Sequence, residues 1–355
     1  MAESAQGWYS GATVKDEGRG FRALHLALLL LLLLVGVGCK RGESAAGDAG
    51  SGTQSIKIAV IPKGTTHEFW KSVHAGAVKA ARELGVEIIW KGPLKEDDLK
   101  SQIDLVQSFT AQGVSGIVLA PLNDKALVSS VRGAARGRVP VVVFDSALQG
   151  KEHTSFVATD NLAAGRLAGE HLAKLLGGKG RVALLRYQEG SASTHARETG
   201  FLEAIRKHAG IEIVSDNQYG GATTESAFAA SENVLLAQNA AEGKVDGIFA
   251  PNESTTFGML LALRKSGLAG KIKFVGFDAS DKLVAGLRSG EISGLVLQDP
   301  FRMGYLSVKT MVRHLRGEKV DARIDTGSRF VHRGNMDQPD IKQLLEPDLA
   351  QWLGE

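Results

Sequence analysis

A single cysteine, Cys39, occurs in 355 residues, so no internal disulfide can form and no thiolate cluster can hold zinc or an iron–sulfur centre. Neither sign of charge is in excess. Lys and Arg number 42 against 39 Asp and Glu, a formal +3, too slight for phosphate neutralisation, and nucleic acid is not expected as a partner. The usual phosphate and nucleophile signatures are also missing. No GxGxxG, GxxxxGK[ST] or GxSxG follows a strand-like run, and GGKG at 177–180 reads as a helix end before a strand. HEFWKSVH at 67–74 opens like a zincin helix, but Lys71 stands where HExxH needs its second His, and a third ligand is lacking. No helix-turn-helix precedes Ile56. With neither a nucleophile–base pair nor a metal set, the chain is not expected to be an enzyme, and no cofactor is expected.

What is present is ordinary globular material, 43% hydrophobic and 23% charged, with apolar residues enough for a packed core and the length of two or three structural units. One long apolar run precedes it: LALLLLLLLVGV at 26–37, behind Arg19 and Arg22. As a helix this run rises about 18 Å, short of the roughly 30 Å hydrocarbon core, and a signal-peptide h-region fits better than a permanent span. Cys39 follows behind Gly38, and the stretch resembles a bacterial lipoprotein signal, in which the cysteine is lipidated and becomes the new N-terminus; Gly36 stands where such motifs usually carry Leu. An uncleaved signal anchor is the alternative. Residues 1–38 are then a signal peptide and 39–53, rich in Gly, Ala and Ser, a flexible tether. Together they predict a protein lipid-anchored at a membrane of the cell envelope and exposed to the periplasm or the extracellular side. Lys40 rather than Asp follows the cysteine, which resembles the pattern for outer-membrane sorting in Gram-negative cells.

From Ile56 onward, short β-branched runs alternate with longer amphipathic stretches, the pattern of βα units around a parallel sheet. Strands are predicted at 56–61, 86–90, 116–120, 139–144, 155–158, 181–186, 211–215, 245–250, 272–277 and 294–298. Helical spacing fills most of the gaps; Phe69, Val73, Ala77, Ala80 and Leu84 form one stripe. A weak repeat runs through this pattern. IKIAVI at 56 matches RVALLR at 181 and VEIIW at 86 matches IEIVS at 211, while VSGIVLAPLND and VPVVVFDSAL match VDGIFAPNES and IKFVGFDASD further on. Constant order and nearly constant offset predict two lobes of one topology. Ligands of open α/β sheets sit beyond the carboxyl ends of the strands, so polar residues at strand ends become candidates for an interlobe site.

IKIAVIPKGTTHEFWKSVHAGAVKAA, VVVFD, SFVATDNLAAGRLAG, FAPNE, IKFVGFD and VLQDP follow one another between about 54 and 345. In that order they resemble the type I periplasmic substrate-binding proteins, close to the ribose-binding and related sugar receptors of ABC importers. The resemblance implies an α/β fold of two Rossmann-like lobes with parallel sheets joined by a three-strand hinge. The first lobe would take 54–159 plus 299–327, and the second 160–298 plus 328–355. It also implies a ligand captured by hinge closure. Phe69 and Trp70 match aromatics that stack on a sugar ring, and His67 stands where an amide often sits. Asp145 matches a strand-end acid, Arg197 the guanidinium that grips ring oxygens, and Asn252, Asp278 and Gln298 the remaining polar contacts. Ribose binders carry Arg after the strand-end acid, where this chain has Ser146. Near the place of a second-lobe aromatic stands Thr223, with Tyr187 or Tyr219 as substitutes.

The chemistry of these residues agrees with a sugar or polyol, whose adjacent hydroxyls and apolar C–H faces call for carboxylate acceptors, an arginine fork and an aromatic plate. Each also has a plainer reading. Thr65 and Glu68 fit a capping box; Asp145 and Asp278 could be strand-end turn acids, Arg197 could pair with Glu198 or Glu203, and Phe69 could be core. The leading expectation is a monomeric, lipid-anchored solute-binding protein that delivers a small sugar or polyol to an ABC permease and its ATPase. A sensor presenting such a ligand to a histidine kinase or chemoreceptor is the alternative. Cys39→Ser should abolish incorporation of labelled fatty acid; label retained in the variant would refute the anchor.

Overall fold

The computed structural model describes residues 55–354; Cys39, the h-region and the tether lie outside them. In chain order the elements are β1 (Lys57–Ile61), α1 (Glu68–Leu84), β2 (Glu87–Trp90), α2 (Leu99–Ala111), β3 (Gly116–Leu119), α3 (Val128–Arg136), β4 (Val141–Phe144) and β5 (Ser155–Ala158). Then come α4 (Asn161–Leu175), β6 (Lys179–Arg186), α5 (Ala192–Ile205), β7 (Gly210–Tyr219), α6 (Thr224–Ala237), β8 (Gly247–Phe249), α7 (Glu253–Lys265), β9 (Lys273–Phe277), α8 (Asp281–Ser289) and β10 (Gly294–Leu297). The chain closes with α9 (Pro300–Leu315), β11 (Arg323–Asp325), β12 (Arg329–Val331), α10 (Pro339–Leu345) and α11 (Ala350–Leu353).

The strands form two six-stranded sheets, β11-β5-β4-β3-β1-β2 and β12-β10-β9-β8-β6-β7. Their order repeats strand for strand, so the internal repeat is one sheet topology built twice. Every predicted strand is present within a few residues, because a strand covered on both faces is a nearly continuous apolar run; VVVF in β4 and GLVL in β10 are buried throughout. Two departures from the expected pattern stand out. Short β11 and β12 escaped the reading, and β12 runs antiparallel to β10, so the second sheet is mixed rather than wholly parallel. The second lobe also has α8 between β9 and β10, where the first passes from β4 to β5 without a helix.

Three connections join the lobes: β5 to α4, β10 to α9, and β11 to β12. They are stitched together at the crossing. Thr159 Oγ1 donates to Gly327 O at 3.2 Å, and Asp325 accepts from the amides of Asp160 at 3.0 Å and Gly327 at 2.9 Å. The C-terminal segment ties the lobes again. Ile341 and Leu345 of α10 are buried in the core of the second lobe, whereas α11 lies on α1 of the first: Arg82 donates to the carbonyls of Gln351 and Trp352 at 3.1 and 3.0 Å. The expected assignment of all of 328–355 to the second lobe therefore does not describe α11.

Each lobe pairs the helix after its first strand with the helix that enters it from the crossing, α1 with α9 and α5 with α4, through reciprocal glycines. In the first, a Cβ on Gly76 would lie 1.9 Å from Phe301 O and one on Gly304 2.0 Å from Val73 O. In the second, Gly165 would meet Arg197 O at 2.0 Å and Gly200 would meet Leu162 O at 2.1 Å. These backbone approaches set the positions of α1 and α5, the helices that carry Phe69, Trp70 and Arg197. Gly165→Ala must push α4 from α5, and we expect it to lower unfolding free energy by about 1 to 3 kcal/mol, the usual range for overpacking. A urea midpoint equal to that of the wild type would show the approach to be looser than this.

Candidate functional site

Both strand-end acids leave their sheets in the same way. Asp145 after β4 and Asp278 after β9 have φ of 59° and 69°, a left-handed conformation that Asp tolerates better than most residues. Each amide still donates to the neighbouring strand, Asp145 to Val157 O at 3.0 Å and Asp278 to Val296 O at 2.9 Å. The strand thus stays paired up to the residue whose carboxylate enters the cleft. Lys63, just past the end of β1, is 3% exposed and sets its ammonium 2.8 Å from the Asp145 carboxylate and 2.9 Å from Ser193 Oγ of the opposite lobe.

Around one cavity the structure brings together all eight candidates: His67, Phe69, Trp70, Asp145, Arg197, Asn252, Asp278 and Gln298. Lys63, Glu96, Tyr187, Ser193, Thr194 and Glu253 join them. Arg197 does not pair with Glu198 or Glu203. It donates to Asn161 Oδ1 at 2.8 Å and Pro251 O at 2.9 Å, its guanidinium 4.0 Å over the Phe277 ring, while Glu198 binds Arg186 and Glu203 binds Arg166. Gln298 Nε2 donates to Asp278 Oδ1 at 2.7 Å. The outer Nη2 of Arg197 and the Oε1 of Gln298 are buried with no hydrogen-bond partner, and such groups call for one. Asn252 is mainly a helix cap: its Oδ1 accepts from Thr255 N and Oγ1, and its Nδ2 donates to Ser254.

The aromatic pair is part core and part cavity wall. Phe69 and Trp70 meet edge to face at 4.9 Å, and Trp70 packs on Phe144. Thr223 caps α6 through a box with Ser226 and lines a separate outer vestibule, and Tyr219 is 44% exposed; Tyr187 is the second-lobe aromatic at the cavity. The expected Thr65–Glu68 capping box is not formed. α1 starts at Glu68 with no side-chain cap from its own turn, and Glu253 reaches from the other lobe to accept the amides of Glu68 at 3.3 Å and Phe69 at 3.1 Å. A carboxylate there complements the helix dipole.

Glu96, in the β2–α2 loop, accepts from Trp70 Nε1 at 2.6 Å, His67 Nδ1 at 2.8 Å and the Tyr187 hydroxyl across the cleft. Burial opposes its ionisation, but the charges of His67 and Lys63 and the donated hydrogen bonds win and hold it down at about 2. Burial likewise opposes protonation of His67, and the carboxylates of Glu96, Glu253 and Asp278 override it, raising the imidazole to about 9. Glu253 goes the other way: burial, aided by Asp278, lifts it to about 7 against the pull of His67. Burial also raises Asp278, against Arg197 and the Gln298 hydrogen bond. Lys63, Glu96 and Glu253 were not among the candidates. Lys63 could have been read from its place at a strand end; Glu96 lies among Lys95, Asp97 and Asp98 in a loop without period.

The cavity encloses only about 20 Å³, space for a single water and far below the roughly 300 to 1,000 Å³ of ligand pockets. The lobes are closed on one another, and a sugar-sized molecule enters only when they part.

Two sheets of repeated topology, hinged at three crossings around a polar cleft, define a bilobal binding protein of the type I periplasmic class. The chain matches the periplasmic binding protein domain over residues 58–319 and belongs to that family. It is similar to the ribose import binding protein of Haemophilus influenzae, at 29% identity over 81% of this chain and 94% of that protein. Among solved structures, a carbohydrate transporter solute-binding protein from Agrobacterium radiobacter, in complex with D-arabinose, is 35% identical with a TM-score of 0.78, covering 82% of this chain and 99% of that one. An ABC transporter solute-binding protein from Agrobacterium vitis with bound D-fucose is 34% identical with a TM-score of 0.77, covering 81% and 99%.

The shifted groups set a pH profile. His67, raised from 6.5 to about 9, contributes stability that is complete below pH 6.5 and lost as pH climbs through 9. Glu253, raised from 4.5 to about 7, contributes stability complete below pH 4.5 and lost as pH rises through 7. Glu96, lowered to about 2, acts in the opposite sense, its share present above pH 4.5 and lost toward 2. In thermal unfolding, Glu253→Gln should flatten the decline between pH 4.5 and 7 and His67→Gln the decline between 6.5 and 9. Profiles parallel to the wild type in both variants would contradict this.

Proposed function

We propose that the chain is the solute-binding protein of an ABC importer, which captures an uncharged monosaccharide or polyol between its lobes and hands it to a permease driven by an ATPase. One observation carries the reading: a buried cleft in which Arg197 Nη2 and Gln298 Oε1, a donor and an acceptor from the same lobe, stand without partners beside Asp145, Asp278 and the aromatic pair. A molecule dense in hydroxyl groups supplies both kinds of partner at once. Within each lobe the charges nearly balance, Lys63 and His67 against Glu96 and Asp145, and Arg197 against Asp278, with Glu253 raised by burial to about 7 and so only partly charged at neutral pH, which favours a neutral ligand over an ionic one. The sugars named for the two Agrobacterium proteins are of this kind. Cys39 would anchor the mature protein in the envelope, within reach of its membrane partners, and the chemistry is reversible binding without turnover.

A thermal-shift screen of D-arabinose, D-ribose, D-fucose, D-allose and xylitol tests it, since a ligand at a hundred times its dissociation constant stabilises by about 2.7 kcal/mol. No shift with any sugar or polyol would overturn the proposal. For the sugar that binds, Asp278→Ala should weaken affinity by roughly ten- to a hundred-and-fifty-fold, the equivalent of one hydrogen bond to a charged group. Calorimetric titration of the folded variant reads that loss, and unchanged affinity would remove Asp278 from the site.

A further inference from the structure

Outside the inner cavity, the cleft opens into a vestibule of about 410 Å³ bordered by Thr223 and Lys282. Three side chains, His67, Glu96 and Glu253, line both spaces; they are the wall between them. That wall is held shut by bonds between the lobes. Glu96 of the first lobe takes the Tyr187 hydroxyl of the second, its backbone carbonyl accepts Gln188 Nε2 at 3.0 Å, and Glu253 of the second lobe holds the opening amides of α1. Sheet order places the Glu96–Tyr187 bond on the side away from the hinge: Glu96 follows β2, the edge strand opposite β5 and β11, and Tyr187 follows β6, next to the far edge strand β7. A bond there has a long lever against opening. Three protein donors, Trp70, His67 and Tyr187, converge on the Glu96 carboxylate, which suits it to shaping and closing the site.

We propose that Glu96, fastened by Tyr187, is a specificity-determining gate that admits a free monosaccharide or polyol to the inner cavity and rejects the same sugar bearing a substituent that would have to pass through the wall. The inference rests on the sugar-binding reading above. It assigns Glu96 a positioning role as well, since its carboxylate fixes the Trp70 indole and the His67 imidazole.

The test measures, on the full chain, the affinities of D-arabinose, D-ribose and D-allose and of the methyl glycoside of each. The wild type should prefer the free sugar by at least about tenfold. Glu96→Ala should erase most of that preference, and the nearly isosteric Tyr187→Phe, which keeps the fold, should reduce it. A purely structural role would weaken free sugar and glycoside equally and leave the ratio unchanged; that result, or a wild type that binds both equally, overturns the gate. X-ray scattering of the unliganded chain separates this from failure of the sugar reading. Tyr187→Phe should give a larger radius of gyration than the wild type, and if no sugar binds at all, an unchanged radius refutes the gate on its own.

Discussion

Charge withdrawn from water is tolerated only when it is paired, and this cleft withdraws a great deal of it. Lys63, Glu96, Asp145, Arg197 and Asp278 are nearly inaccessible. The opposed charges largely belong to the same lobe: Lys63 with Asp145, His67 with Glu96, and Asp278 beside Arg197. Opening the lobes therefore returns each set to water without breaking a contact ion pair, and it moves His67 away from the Glu253 and Asp278 carboxylates that face it across the cleft. What spans the gap is instead a handful of hydrogen bonds, among them Lys63 to Ser193, Tyr187 to Glu96, and the α1 amides to Glu253. Such bonds exchange readily for bonds to water, and their net contribution is small, about 1 kcal/mol each, with more for those to charged groups. A hinge between two bodies whose cleft charges nearly balance within each can be biased by a ligand with only a few polar contacts.

The repetition of the sheet extends to atomic detail. Asp145 and Asp278 occupy matching strand ends with the same left-handed turn and the same amide bond to the neighbouring strand. The reciprocal glycines recur in the same way, so each lobe presses its first helix against a crossover helix by backbone contact. Backbone contact leaves little room for a helix to slide. The side chains that α1 and α5 present to the cleft are accordingly positioned by the lobe interior.

Much of this was legible in the sequence because strand-end positions are marked by buried, β-branched runs. Asp145 ends VVVF, Asp278 ends KFVGF and Gln298 follows GLVL, and finding the run finds the residue beyond it. The β2–α2 loop has no such marker, and Glu96 is distinguished from its charged neighbours only by what folds onto it. The capping of α1 was hidden for a related reason. Local spacing favoured Thr65 and Glu68, but the helix end received Glu253 from 185 positions away, and no local pattern encodes a partner in the other lobe. Strands β11 and β12, at three residues each, are too short to display a period.

The docking of α11 on the first lobe and α10 on the second has a mechanical consequence. Only residues 346–349 lie between the two helices, and the five Cα steps from Leu345 to Ala350 span at most about 18 Å when drawn taut. While both helices remain seated, that span is an upper bound on the separation of their facing ends: the lobes can swing apart at this side until the leash is straight, and no further. The excursion of the jaws is thus metered by the tail of the chain.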